Sequence, residues 1–127
     1  MNSPVILVID DDALVRDIIK RDLEMAGYRV VVAGDGREGL AQYWSVAPDL
    51  LIIDLIMPEM DGIEVITELR KRRINTRILA ISGGGRLGNR DILQVAHALG
   101  ADDILAKPFQ LADLTDKVQR LLAAPPG

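Results

Sequence analysis

Five short apolar runs, each followed by a stretch with helical spacing, limit what this chain can fold into more than any other feature of its sequence. The runs are Val5–Ile9 (VILVI), 29–32 (RVVV), 50–53 (LLII), 78–81 (ILAI) and a weaker 103–106 (DILA). The first four are β-branched or Leu-rich at nearly every position, the pattern of strands covered on both faces; a half-exposed strand would alternate. Between them, residues 13–26 carry Leu14, Val15, Ile18, Ile19 and Met25, with Gly27 where a helix C′ glycine sits. Residues 38–47 place Leu40, Tyr43, Trp44 and Ala47 at i, i+3, i+4 and i+7. Ile63, Ile66 and Leu69 mark a third helix, entered past Pro58 and Asp61-Gly62. Ile92, Ala96 and Leu99 mark a fourth, stopped by Gly100, and Leu111, Leu114, Val118, Leu121 and Leu122 a fifth. Strand–helix repeats with short connections predict an α/β fold: one doubly wound, five-stranded parallel sheet with helices on both faces.

The 127 residues fit one domain, over 1–122, with 123–127 (AAPPG) as a flexible tail or the stub of a linker. Met1 stands four residues before the first strand, as a true N-terminus would. Only 3% of residues are aromatic although 49% are hydrophobic, so the core must be made of Val, Ile, Leu and Ala. Fifteen Lys+Arg against nineteen Asp+Glu leave a net charge of -4, which lacks the basic footprint of direct nucleic-acid binding. No DNA-binding element fits after residue 122. The absence of cysteine excludes disulfides, thiol nucleophiles and Cys-based zinc sites, and is compatible with the cytosol. The apolar run at 5–9 is cut by three aspartates and is too short for a signal peptide or membrane span.

Ligands of an open α/β sheet bind beyond the carboxyl ends of the strands, so polar residues at those ends matter most. The first run ends in Asp10, Asp11 and Asp12, the third in Asp54, and the fourth in Ser82 followed by Gly83-Gly84-Gly85; Lys107-Pro108 follows the fifth. Asp12, directly before a helix, reads as its N-cap. Asp10, Asp11 and Asp54 brought together repel one another, so either a carboxyl pKa rises or a cation is bound. Carboxylate oxygens suit a hard cation such as Mg²⁺. An anion held between a metal, an ammonium and a hydroxyl is what phosphoryl transfer requires, and a carboxylate can itself accept the group.

Four motifs in order carry a resemblance over essentially the whole chain: Ile9-Asp10-Asp11-Asp12, then Asp54-Leu55-Ile56-Met57-Pro58-Glu59-Met60-Asp61-Gly62, then Ser82, then Gly100-Ala101-Asp102-Asp103 leading to Lys107-Pro108-Phe109. The chain resembles the receiver domains of bacterial two-component response regulators, with their CheY-like, flavodoxin-like fold and strand order 2-1-3-4-5. The resemblance implies that Asp54 is the phosphoacceptor, and that Asp10, Asp11, Asp54 and the Ile56 backbone carbonyl hold Mg²⁺. It also implies that Ser82 and Lys107 bind phosphoryl oxygens, that Lys107-Pro108 is often cis, and that the fourth helix, fifth strand and fifth helix form the output surface. Its partners would be a histidine kinase or histidine phosphotransfer protein and a downstream protein target. It would be a cytoplasmic monomer or phosphorylation-dependent dimer that catalyses only its own phosphotransfer and autodephosphorylation.

Two positions depart from the pattern. Ile104 stands where the family carries its switch aromatic, so an inward–outward ring flip cannot operate. The Gly83-Gly84-Gly85 run replaces small-then-polar residues and predicts a flexible switch loop that phosphorylation orders. Asp10 and Asp12 also form the D-x-D spacing of haloacid dehalogenase-type phosphohydrolases. That motif wants Thr or Val where Leu14 stands, and there is no room for a cap domain. A pseudo-receiver acting only as an interaction module would normally lack one of Asp11, Asp54 or Lys107, and all three are present. His97 reads as a helix-surface or half-buried residue, Tyr43 and Trp44 as core and its margin, and Met57 and Met60 as loop packing. The run at 70–73 (RKRR) reads as a solvated helix C-terminus favoured by the helix dipole.

Overall fold

The computed structural model describes residues 3–83 and 89–123, and only the backbone of residues 89, 90, 92 and 93. Its elements alternate strictly: β1 (Val5–Ile9), α1 (Ala13–Met25), β2 (Arg29–Ala33), α2 (Gly36–Val46), β3 (Leu50–Asp54), α3 (Gly62–Lys71), β4 (Arg77–Ser82), α4 (Asn89–Leu99), β5 (Asp103–Ala106) and α5 (Leu111–Ala123). All neighbouring strands are parallel, in the order β2-β1-β3-β4-β5. The last helix runs one residue past 122, and 124–127 lie outside the described residues.

Alternation along the strands divides the core in two. Leu7, Ile9, Leu51, Ile53, Ile78 and Ala80 pack against α2, α3 and α4 through Tyr43, Val65, Ile66, Leu69 and Ala96. Ile6, Val8, Leu50, Ile52, Leu79 and Ile81 pack against α1 and α5 through Ile19, Leu23, Leu114 and Val118. β1, β3 and β4 are buried on both faces, as their sequences predict. β2 is not: Arg29 is exposed and Val31 and Val32 are half-buried. The sheet order explains this, because β2 is an edge strand with one neighbour, and its apolar run cannot reveal that position.

Local chemistry sets the helix ends. Asp12 caps α1, accepting from the amides of Leu14 at 3.0 Å and Val15 at 3.4 Å. Asp35 and Asp61 cap α2 and α3 in the same way, accepting from Glu38 at 2.8 Å and Glu64 at 3.0 Å. The cap at Asp35 starts α2 at Gly36, ahead of the expected 38. Gly27, just past the Ala26 C-cap, holds φ 98° as the terminator of α1.

The basic run at 70–73, which ends α3, is not uniformly solvated. Arg70 is three-quarters buried and donates to the carbonyls of Ile74 (2.7 Å), Thr76 (3.1 Å) and Gly100 (2.6 Å), with Asp102 3.6 Å away. One guanidinium thus ties the α3–β4 loop to the α4–β5 turn, using the fork of donors that only arginine offers. Arg72 pairs with Glu68 at 2.9 Å and lies over the exposed Trp44 ring.

Candidate functional site

Parallel register brings the carboxyl ends of the strands level. Ile9 pairs with both Ala33 and Ile53, Asp54 with Ile81, and Ser82 with Ala106. Asp10, Asp54, Ser82 and Lys107 therefore emerge at one edge, and the first three are buried, at 1%, 5% and 0% exposure.

The centre of the edge is an ammonium between two carboxylates. Lys107 Nζ donates to Asp10 Oδ2 at 2.9 Å and to Asp54 Oδ2 at 3.2 Å. Asp54 Oδ1 accepts from the Ile56 amide at 3.1 Å, and Asp10 Oδ1 from the Asp12 amide at 2.9 Å. Asp11 is exposed beside them, and one carboxylate oxygen from each of Asp10, Asp11 and Asp54 lies within 4.8 Å of the others. The Lys107–Pro108 peptide that delivers the lysine is cis, as the resemblance implies.

These oxygens suit a small, hard cation. An octahedral Mg²⁺ with ligands at about 2.1 Å separates adjacent oxygens by about 3.0 Å and opposite ones by about 4.2 Å. Three carboxylates against one ammonium leave a formal excess of two negative charges, which a divalent ion cancels. The charge acts on proton affinity as well. Burial pushes the Asp54 carboxyl above its usual range, the Lys107 charge opposes this, and repulsion from Asp10 adds to it. For Lys107, burial disfavours the ammonium, but hydrogen bonds and charge from Asp10 and Asp54 outweigh it and raise its pKa. On the lysine side the pairing is thus intact up to the ordinary value of 10.5 and is lost as pH climbs through the raised one.

The Asp54 shift has the opposite consequence for stability. A carboxyl raised in the folded state means that folding loses stability as pH rises from the ordinary value of 3.8 through the raised one, and the penalty is complete at neutral pH. Asp54→Asn is expected to stabilise the metal-free protein at neutral pH and to raise its Tm. The gain should vanish below the ordinary carboxyl range. Thermal melts at neutral and acid pH check this, and an Asn variant less stable than wild type at neutral pH would contradict it.

The remaining candidates fall around this centre. The Ser82 hydroxyl, at the end of β4, donates to the Gly83 carbonyl at 3.1 Å. Gly83 faces the Lys107 stem, with room for a Cβ 3.6 Å from Cδ. Ile56 is half-exposed and contributes its amide to Asp54. Ile104 is partly buried and packs with the α2–α3–α4 side of the core. The switch loop expected at Gly83-Gly84-Gly85 lies, beyond Gly83, outside the described residues. His97 and Trp44 are exposed, Tyr43 and Met57 are buried, and Met60 packs against the core. Two contacts had no signature in the sequence. Arg16 Nη1 donates to the Asp10 carbonyl at 2.8 Å, and Gly62 lies against the backbone of Asp54.

Comparison with known proteins decides the family. Residues 6–119 match the response regulator receiver domain. The chain belongs to this family. It is 39% identical over 117 residues to the response regulator MprA of Mycolicibacterium vanbaalenii, covering 92% of this chain and 49% of that protein. It is 36% identical over 122 residues to the transcriptional regulatory protein PrrA of Mycobacterium leprae, covering 96% and 51%. The receiver domain thus spans about half the length of these curated relatives. Among solved structures, the receiver domain of Francisella response regulator 1452 superposes with a TM-score of 0.86 at 34% identity, over 94% of this chain and 97% of that one. A response regulator of Chloroflexus aurantiacus superposes with a TM-score of 0.87 at 31% identity, over 97% and 100%. The fold is CheY-like, that of a two-component response regulator receiver domain. No helix among the described residues is long and apolar enough to cross a membrane.

Proposed function

We propose that this receiver domain is a phosphorylation-controlled switch whose acceptor is Asp54, loaded from the phosphohistidine of a histidine kinase or histidine phosphotransfer protein. The observation that carries this reading is the Lys107 ammonium shared by the buried carboxylates of Asp10 and Asp54, with Asp11 beside them. An Asp54 oxygen attacks phosphorus, the P–N bond to the donor imidazole breaks, and the imidazole leaves with that electron pair. Asp10, Asp11, Asp54 and the Ile56 carbonyl would hold Mg²⁺, which supplies positive charge against the transferring oxygens. Lys107 turns from Asp54 to a phosphoryl oxygen, and the buried Ser82 hydroxyl leaves the Gly83 carbonyl to donate to another. Hydrolysis of the acyl phosphate at the same site resets the switch, with no turnover of a free substrate.

The phosphoryl group carries about one and a half to two negative charges, and because it consumes the charge of the Asp54 carboxylate the sheet edge gains about one at most. Ser82 and Lys107 report that gain to β4 and β5, and from there to the α4–β5–α5 face that would meet a downstream protein in the cytoplasm. With Ile104 in place of a ring, the report travels through Ser82 and the loop after it. Intact mass after incubation with acetyl phosphate and Mg²⁺ tests this. One added phosphoryl group is expected, lost without metal and in Asp54→Ala. A folded, Mg²⁺-binding chain that gains none from acetyl phosphate or a phosphorylated kinase would favour a phosphorylation-independent interaction module.

A further inference from the structure

We propose that Arg16 is a positioning residue of the acidic site, setting its metal affinity through the backbone of Asp10. The inference rests on the Mg²⁺ reading above and concerns a residue outside the expected ligand set.

Every polar atom of Asp10 has a partner, and each comes from a different part of the fold. Its amide donates to the Ala33 carbonyl of β2 at 3.2 Å. Its two carboxylate oxygens accept from the Asp12 amide at 2.9 Å and from Lys107 at 2.9 Å. Its carbonyl accepts from Arg16 Nη1, one turn into α1, at 2.8 Å. The peptide following that carbonyl is the one that carries Asp11, so its tilt aims the next carboxylate. The guanidinium is itself confined on the far side by the β2–α2 loop, where a Cβ on Gly34 would lie 3.2 Å from Arg16 Nη1. The Gly34 amide donates to Glu38 at 3.2 Å, which holds that loop in place. A half-buried cation wedged between two loops fixes the turn that presents two of the three carboxylates, and groups behind the ligands commonly set metal affinity in this way.

The direction of the effect separates positioning from simple charge. A cation beside an acidic site repels Mg²⁺, so an Arg16 that acted only by its charge would, when removed, leave binding tighter. A positioning Arg16 leaves it weaker. Calorimetric titration of the full chain with Mg²⁺ is expected to show about tenfold weaker binding in Arg16→Ala. Arg16→Lys, which keeps a cationic donor on a similar stem, should return affinity to within about threefold of wild type. Arg21→Ala removes the same charge from an exposed site on α1, where Arg21 pairs with Asp17 at 3.7 Å, and should leave affinity unchanged. If Arg16→Ala does not fold, Arg16→Met, which keeps part of the stem and removes every N–H donor, takes its place with the same expectation of weaker binding. Unchanged or tighter binding in folded Arg16→Ala, or in the variant that replaces it, would overturn the inference while leaving the Mg²⁺ reading standing. A wild-type chain that binds no Mg²⁺ would overturn both.

Discussion

Gly62→Ala is expected to cost about 3–5 kcal/mol, enough to lower Tm by more than about 10 °C. A methyl group there would overlap the carbonyl of Asp54 and come within 2.9 Å of Leu55 Cα. Both obstacles are backbone, fixed by the β3–β4 ladder and by the Gly62 amide donating to the Leu55 carbonyl at 3.2 Å. Neither can swing aside as a side chain would. The first turn of α3 must then retreat from the end of β3, taking with it the loop whose Ile56 amide steadies Asp54. Gly27→Ala is the matched comparison. Its φ of 98° disfavours a side chain, but a Cβ there meets nothing within 4 Å, so its cost should stay near about 1 kcal/mol. Denaturant melts of the two variants check the contrast, and equal losses would show that close approach at Gly62 is not what matters.

Lys107→Met keeps most of the aliphatic stem and removes the ammonium between Asp10 and Asp54. Two buried carboxylates then face each other without a counter-charge, which should destabilise the metal-free protein at neutral pH by about 2 kcal/mol. That is below the full cost of breaking a buried pair, because the lysine side chain is 21% exposed. Losing the lysine raises the folded-state carboxyl pKa further, so the defect should grow as pH rises through the carboxyl range and fade in acid. Mg²⁺ should repair it, binding more tightly than to wild type because its resident competitor is gone. Phosphoryl transfer from acetyl phosphate should nevertheless slow by about a hundredfold, since in the proposed mechanism the ammonium meets the transferring oxygens. Melts across pH with and without Mg²⁺, beside single-turnover labelling, separate the two roles. Wild-type labelling rates in Lys107→Met would contradict the catalytic one.

Most of the candidate site's geometry was legible because its residues interrupt apolar runs. An aspartate after VILVI or LLII can only emerge at a strand end, and parallel topology puts all such ends on one edge. What escaped the sequence depended on partners rather than on type. Arg16 and Arg70 look like ordinary helix-surface arginines, yet each spends its guanidinium on backbone carbonyls at chain separations of up to thirty residues. No periodicity marks such a contact. Gly62 reads as part of a turn in Asp61-Gly62, whereas its decisive property is the absence of a Cβ beside β3. The edge position of β2 was hidden for a related reason: RVVV differs little from the buried runs, and only strand order exposes it.

Of the three clustered carboxylates, Asp54 is the one proposed to take the phosphoryl group. Borohydride reduces an acyl phosphate to an alcohol, so an acceptor aspartate trapped in this way appears as homoserine in a peptide map. After labelling with acetyl phosphate and Mg²⁺, homoserine is expected at position 54 alone, and nowhere when metal is withheld. Homoserine at position 10 or 11, or none in a chain that binds Mg²⁺, would contradict the account.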